Sequence, residues 1–260
     1  MIQFEAYGKT VSLKTTWSEI TIRQAGEIIA MVKSDLPKVV QRIYTLRMSE
    51  KSEKNDSELG NLFESITDDM EIKILPTFYG KVIKHLSDID DETLNKMNRL
   101  ERSVLYQRYL EGIVMGLMSV PNFEPTGIKH FDFMGERYYL PESVEGYGVD
   151  VPMGNTTAVE FIESADIELR AKGMAKGRWD QAALMIAILC RPKGETYDEN
   201  KARERAKIFE GLALDVALEV FFCFTESLTT SEHIGLTYLK DQGSPVSGRG
   251  STDGRRERSP

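Results

Sequence analysis

Three histidines, two cysteines and two short acidic runs are the residues of this 260-residue chain whose types could support chemistry. His85, His130 and His233 could act as metal ligands or general bases. A zinc site needs further ligands three or four residues away, or a cysteine pair, and none of the three has them. Asp68-Asp69 and Asp90-Asp91-Glu92 could hold a cation. Each run precedes a helical pattern, where carboxylates meet the positive end of the helix dipole, and the second lacks the glycine and terminal glutamate of an EF-hand loop. Cys190 and Cys223 lie in apolar, helix-like runs and read as buried free thiols of a reducing compartment. The chain has no G-x-S-x-G, Walker A, G-x-G-x-x-G or H-E-x-x-H motif. A Ser–His–Asp triad assembled from distant residues is possible in almost any chain, and nothing favours one. No catalytic residue, metal ligand or cofactor-binding residue is assigned, and no cofactor is expected.

The remaining residues of interest are suited to contact. Lys172-x-x-x-Lys176-Gly177-Arg178-Trp179 could touch phosphate, but its glycine and lysines fit the end of one helix and the start of the next. Arg249, Arg255, Arg256 and Arg258 resemble a weak nucleic-acid arm diluted by Asp253 and Glu257. The segment from His130 to Pro141 alternates with period two about Met134-Gly135, the pattern of a β-hairpin. It places Arg137, Tyr138 and Tyr139 in one strand, where one tyrosine must face away from whatever the other packs on. These three are the candidate protein-binding residues.

The elements that must position these residues are mostly helical. Alternation of Ile2, Phe4, Ala6, Val11 and Leu13 around Gly8 predicts a second hairpin. Thr21-x-x-Gln24 has capping-box spacing and opens a helix through about Ser34, with Ile22, Ala25, Ile28, Ile29 and Val32 as its apolar stripe. Pro37 starts a helix to about Met48, Glu50–Ser57 is a solvated connection, and Glu58–Ile66 is helical. Asp68–Leu75 fits either a strand, by Met70, Ile72 and Ile74, or a helix start before Pro76. Leu100–Met118 is a long helix with Leu100 and Val104 in its apolar stripe. Glu142–Asn155 is a glycine-rich loop. Thr157-x-x-Glu160 opens a helix to about Ala171, and Arg178–Cys190, Tyr197–Glu210 and Leu212–Ser227 are further helices, the last the most buried. The fold class is mainly α with two small β-hairpins, which can join as one antiparallel sheet. Residues 1–240 form a single body, with a split near 119–129 as the alternative, and the Gly/Ser/Arg stretch 241–260 is a disordered tail.

The formal net charge of -8 gives no global attraction to nucleic acid or anionic membranes. The 41% hydrophobic residues suffice for a core. No apolar run is long and uncharged enough to span a membrane, and no secretory signal is visible, so a cytoplasmic location is expected.

Three stretches carry a resemblance: the strand-like start leading to Trp17-Ser18-Glu19-Ile20-Thr21, the hairpin Gly135-Glu136-Arg137-Tyr138-Tyr139-Leu140-Pro141, and the late helix with Phe221-Phe222. In this order they resemble phage and prophage tail assembly chaperones of viruses that infect Bacteroidetes-type bacteria, over roughly residues 1–240. The resemblance implies a non-enzymatic virion-morphogenesis protein of the host bacterial cytoplasm. Its partners would be a long helical tape-measure protein and tail-tube subunits, with no membrane or nucleic acid. The composition break near Gly243 fits an extension made by programmed frameshifting, as such chaperones often carry. Three alternatives stay open: a virion neck or tail-completion protein, an enzyme with a dispersed active site, and a nucleic-acid-binding regulator using the arginine tail.

Overall fold

The chain opens with a hairpin whose turn chemistry fixes its register. Strands β1 (Ile2–Ala6) and β2 (Lys9–Leu13) pair antiparallel, from Ile2 opposite Leu13 to Ala6 opposite Lys9. Tyr7 and Gly8, at φ 51° and 76°, form a turn that is left-handed at both central positions and so matches the twist of the strands. In this computed structural model residues 1–48, 53–118, 123–142, 144–146, 149–151, 156–157, 159–160, 162–165 and 177–226 are described. The 241–260 tail and the lysines of the 172–179 patch lie outside them.

Helix α1 (Ile22–Asp35) starts at the predicted capping box: the Thr21 side chain accepts from Gln24 N, and the Gln24 side chain accepts from Thr21 N at 3.2 Å. Its buried side chains are the five of the predicted stripe. Helix α2 (Lys38–Met48) follows Pro37. Helix α3 (Glu53–Glu64) begins inside the stretch expected to be a solvated connection. Its early residues are polar and give no apolar period, and only Leu59 and Leu62 pack on the core.

Residues Met70–Ile74, ambiguous in sequence, form a π-helical turn that runs into α4 (Leu75–Leu86). Pro76 cannot donate to a carbonyl four residues back, and the widened turn, with Leu75 N–H on the Met70 carbonyl, carries the helix past this gap. Asp90 caps α5 (Asp91–Lys96) by accepting from Thr93 N at 2.8 Å. The predicted 100–118 helix is α6 (Arg99–Leu105), a second π-helical turn (Tyr106–Leu110) and α7 (Glu111–Met118), without a break.

Strands β3 (His130–Phe133) and β4 (Glu136–Tyr139) pair as predicted, with Met134 and Gly135 at φ 50° and 85°. A third hairpin, β5 (Val144–Gly146) with β6 (Val149–Val151), lies in the stretch expected to be a loop. Its strands are too short to show alternation among the glycines. The first two hairpins do not join. Leu13 bridges to Ser87 at the end of α4, whereas Tyr139 bridges to Arg191, so different helix ends meet the two sheets. Residues 159–165, capped by Thr157 and Glu160, are helical where described.

Helix α8 (Gly177–Leu189) is the centre of the core, displacing the expected Leu212–Ser227 helix from that role. Trp179, Ala182, Ala183 and every residue from Met185 to Cys190 are buried, whereas α10, residues 214–226, mixes buried with half-buried positions and ends exposed. Helix α9 (Glu199–Phe209) packs on α8, as does α1. Backbone bonds join the first helix to the entrance of the last: Ile22 N to Leu212 O at 3.0 Å, Arg23 N to Glu210 O at 2.9 Å and Leu214 N to Ile20 O at 2.9 Å. One hydrophobic cluster runs from Ala6 to Phe224, on both sides of residues 119–129.

Trp17 closes over α7. A Cβ on Gly116 would fall 2.9 Å from both Cζ2 and Cη2 of the indole, whereas one on Gly112, a turn earlier, meets nothing within 4 Å. Gly116→Val should therefore destabilise by about 1–3 kcal/mol, and Gly112→Ala should stabilise by about 0.5–1 kcal/mol. Urea unfolding of the two variants checks the opposite signs.

Candidate functional site

Strand β4 carries the three predicted contact residues, and the pleat separates them. Tyr138 turns inward: it stacks on Phe131 at 5.5 Å, meets Phe209 edge-to-face at 4.9 Å, lies under the Arg205 guanidinium at 5.6 Å and donates to Glu136 at 3.0 Å. It is 5% exposed, so it is a core residue and not a contact anchor. Tyr139 faces outward at 36% exposure, beside His130. Arg137 is exposed, but its fork is spent on Asp132, Nε at 2.7 Å and Nη2 at 2.9 Å, which holds that carboxyl below its usual range. Of the three, Tyr139 presents an outward aromatic side chain, next to the Arg137 guanidinium.

Buried polar groups hold this hairpin from below. Arg205, on α9, donates to the carbonyls of Ala187 and Cys190 at 3.2 and 3.4 Å and to Glu195 at 2.5 Å, capping the C-terminal end of α8. Arg191 pairs with the buried Glu160 while its backbone bonds to Tyr139, with Tyr139 N to Arg191 O at 2.9 Å. Glu219, on α10, is 6% exposed and accepts from Thr126 N at 2.6 Å, Thr126 Oγ1 at 2.7 Å and Gly127 N at 3.1 Å. Gly127, at φ 70°, lets two consecutive N–H groups point at one carboxylate. Sequence reading missed this anchor; an acid inside an otherwise apolar run was its signal.

The residues with reactive potential are distributed through the structure. His85 Nε2 lies 3.0 Å from Glu27 Oε2 on the α1–α4 contact, His130 is exposed on β3, and His233 is outside the described residues. Cys190 and Cys223 are free thiols; burial pushes both up in pKa. Cys190 is fully buried and Cys223 half-buried. Asp69 pairs with Lys73, Asp91 with Lys84 and Glu92 with Lys96. Asp90 is held well below its usual range by Lys9 and by the Thr93 N–H. No three metal-capable side chains converge among the described residues. Trp179, the aromatic of the basic patch, is buried and donates to Leu117 O at 3.1 Å. No helix among the described residues is long and apolar enough to cross a membrane.

A buried tyrosine cluster surrounds the second π-helical turn. Tyr106 stacks on Tyr79 at 4.1 Å and shares a 3.1 Å hydroxyl contact with Tyr44. Burial raises all three phenols, Tyr79 to about 12, and Glu111 opposes their ionisation. Two clefts of about 280 Å³ flank α1. One is lined by Ile29, Val32, Lys33, Arg42 and Met118 and the other by Ile22, Glu27, Trp179 and Glu210.

Two aliphatic pairs at helical spacing face water. Leu100 and Val104 on α6 are 70% and 49% exposed, and Val159 and Ile162 are 55% and 65% exposed. The sequence stripe assigned Leu100 and Val104 to the buried face. The buried line through Leu117, Ile113, Leu110 and Tyr106 continues to positions 102–103 and bypasses them. A strict count of helical phase was the available signal. No protein-family model, curated protein or solved structure matches the chain significantly.

Glu219→Ala removes the acceptor of the Thr126 and Gly127 N–H groups; both residues are exposed, so water can replace it, and the loss should be about 0.5–1.5 kcal/mol for each bond. Hydrogen exchange at those two amides should accelerate while α8 amides stay protected. For the tyrosines, the folded form keeps protons that the unfolded chain releases above pH 10. Their contribution is therefore full below pH 10 and falls as pH rises toward about 12. Urea stability measured across that window should decline with pH, and Tyr79→Phe should flatten the decline.

Proposed function

We propose that this protein is a non-enzymatic tail assembly chaperone of a phage or prophage, acting in the host bacterial cytoplasm on a helical tape-measure protein and on tail-tube subunits. The observation that carries the proposal is the pair of exposed aliphatic doublets, Leu100 with Val104 and Val159 with Ile162. Each doublet has the spacing that receives the apolar stripe of a partner helix. Large aliphatics left singly on a surface are ordinary, but doublets along helices form a contiguous apolar strip. The resemblance supplies the biological setting. Its three stretches fall on the β1–β2 start with the Thr21 cap, on the β3–β4 hairpin and on α10. Outward Tyr139 and Met134, the latter 79% exposed at the hairpin tip, add apolar surface on another side.

The test is co-expression with the product of a very long helical reading frame adjacent to this gene. The soluble fraction of that product should rise with this chain and fall again with Leu100→Ser/Val104→Ser. Equal solubility with and without the chain overturns the proposal. Recovery of the chain in purified particles instead identifies a virion neck or tail-completion subunit.

A further inference from the structure

We infer that the outward face of α6 and of the π-helical turn after it docks an acidic amphipathic helix. This inference rests on the binding role proposed above and specifies where one partner segment lies and what charge it carries.

Helix α6 divides its side chains in reverse. Arg102 points inward, crossing Gly80 of α4, where a Cβ would fall 3.2 Å from Nη1, and donating through Nη2 to the Leu94 carbonyl at 2.8 Å. Leu100 and Val104 point outward, one turn apart. The helix thus buries a guanidinium and leaves two aliphatics in water. Neither helix capping nor packing on α4 needs those aliphatics. The cap is made by Asn98 and Glu101, each accepting from the other's backbone N–H. Packing on α4 is served by Arg102.

Charge around the aliphatic pair selects the occupant. The acid of α6, Glu101, is occupied: it accepts from Asn98 N at 2.7 Å, and Tyr7 Oη lies 2.9 Å from both Glu101 Oε2 and the Lys96 carbonyl. Arg99 and Arg108, both exposed, flank the pair. Neither holds a carboxylate among the described ion pairs; Arg108 instead lies 5.3 Å over the ring of Tyr109. Elsewhere the pattern is different. Arg23, Arg42, Arg47, Arg137, Arg203 and Arg205 are each paired with a carboxylate of this chain. A chain of net charge -8 therefore presents here an apolar centre between two cations that are open to an incoming carboxylate. At about 1.5 Å per residue the two arginines stand roughly 14 Å apart along the helix, or about two and a half turns of a partner. An incoming helix with leucines on one stripe and glutamates on its borders satisfies both requirements. Hydrophobic contact supplies adhesion, and the charge borders supply orientation and partner choice.

The probe is a fluorescein-labelled synthetic helix of about three heptads with leucine at a and d and glutamate at e and g, titrated with the purified full chain and followed by anisotropy. A second peptide replaces each glutamate with lysine. The acidic peptide should bind, with the lysine peptide weaker by about tenfold or more. Leu100→Ser/Val104→Ser should weaken the acidic peptide by a similar factor, and Arg99→Glu/Arg108→Glu should reverse the preference between peptides. All four positions face solvent, and circular dichroism confirms that the variants fold. Equal binding of the two peptides, or a preference unaltered by arginine reversal, overturns the inference. So does absence of peptide binding. If the chain then self-associates through this face, with loss in Leu100→Ser/Val104→Ser, the occupant is a second copy. Peptide binding without any effect on tape-measure solubility leaves this ridge standing and removes the assembly role. Solubilisation that persists in the arginine-reversed protein removes only the ridge.

Discussion

Helix α8 has almost no side that tolerates water, and that constraint organises the molecule. Trp179, the alanines 182, 183 and 187, and Met185, Ile186, Ile188 and Leu189 are all buried, so the helix must be enclosed from several directions. No local segment can do this alone. Helix α9 follows α8 directly and covers one flank, while α1, more than 140 residues earlier in the sequence, covers another. The backbone bonds between residues 20–23 and 210–214 hold α1 in that position by joining its first turn to the turn before α10. Burial of one apolar helix and a few main-chain hydrogen bonds thus tie the two ends of the described chain into one cluster.

The β3–β4 hairpin is the third cover. A two-stranded hairpin has little stability of its own. Here its inner face, Phe131, Phe133 and Tyr138, surrounds Phe209, and its edge is closed by Arg191. Polar groups lock the same unit: Arg205 under Tyr138, Glu160 on Arg191, and Glu219 on the strand-leading residues 126–127. Each of these charges is hydrogen-bonded, as burial demands. The hairpin is consequently part of the core through Phe131 and Tyr138, while its tip and its outer row, His130, Asp132, Arg137 and Tyr139, face water.

Local signals explain which features were legible in sequence. The Thr21–Gln24 and Thr157–Glu160 boxes and the Tyr7-Gly8 and Met134-Gly135 turns act within a few residues, and each appears where the sequence places it. The stripe of α1 was equally readable because the helix is regular and buries one face. Legibility failed where the determining contact is distant, the local pattern is too short, or a helical stripe is extended without a strict count of phase. The start of α3 is polar and has no stripe. The third hairpin has three-residue strands. Tyr138 and Tyr139 are chemically alike, and only the position of Phe209 decides which goes inward. Leu100 and Val104 look like one more turn of the 105–118 stripe, and only counting back from Tyr106 in steps of three or four separates them from it.

That division of side chains has a physical consequence for binding. The buried line of α7 and Tyr106 meets α6 at positions 102–103, so the arginine lies toward α4 and the aliphatics toward water, the reverse of an ordinary surface helix. Tyr106, in the turn between the two helices, is held in the tyrosine cluster. Gly80 provides the space that Arg102 needs to cross, and the Leu94 carbonyl at the end of α5, which also accepts from Met97 N at 3.2 Å, receives its charge-assisted bond. Arg102 is therefore held inside through Nη2, although its buried Nε has no partner among the described residues, and Leu100 and Val104 lie on the opposite side of the helix. A monomer gains nothing from this arrangement by the hydrophobic effect, since burying aliphatics and solvating arginine is the more favourable division. Under the docking inferred above, another apolar helix covers the pair and makes this division favourable, and Arg99 and Arg108, which hold no carboxylate among the described ion pairs, meet those of the partner.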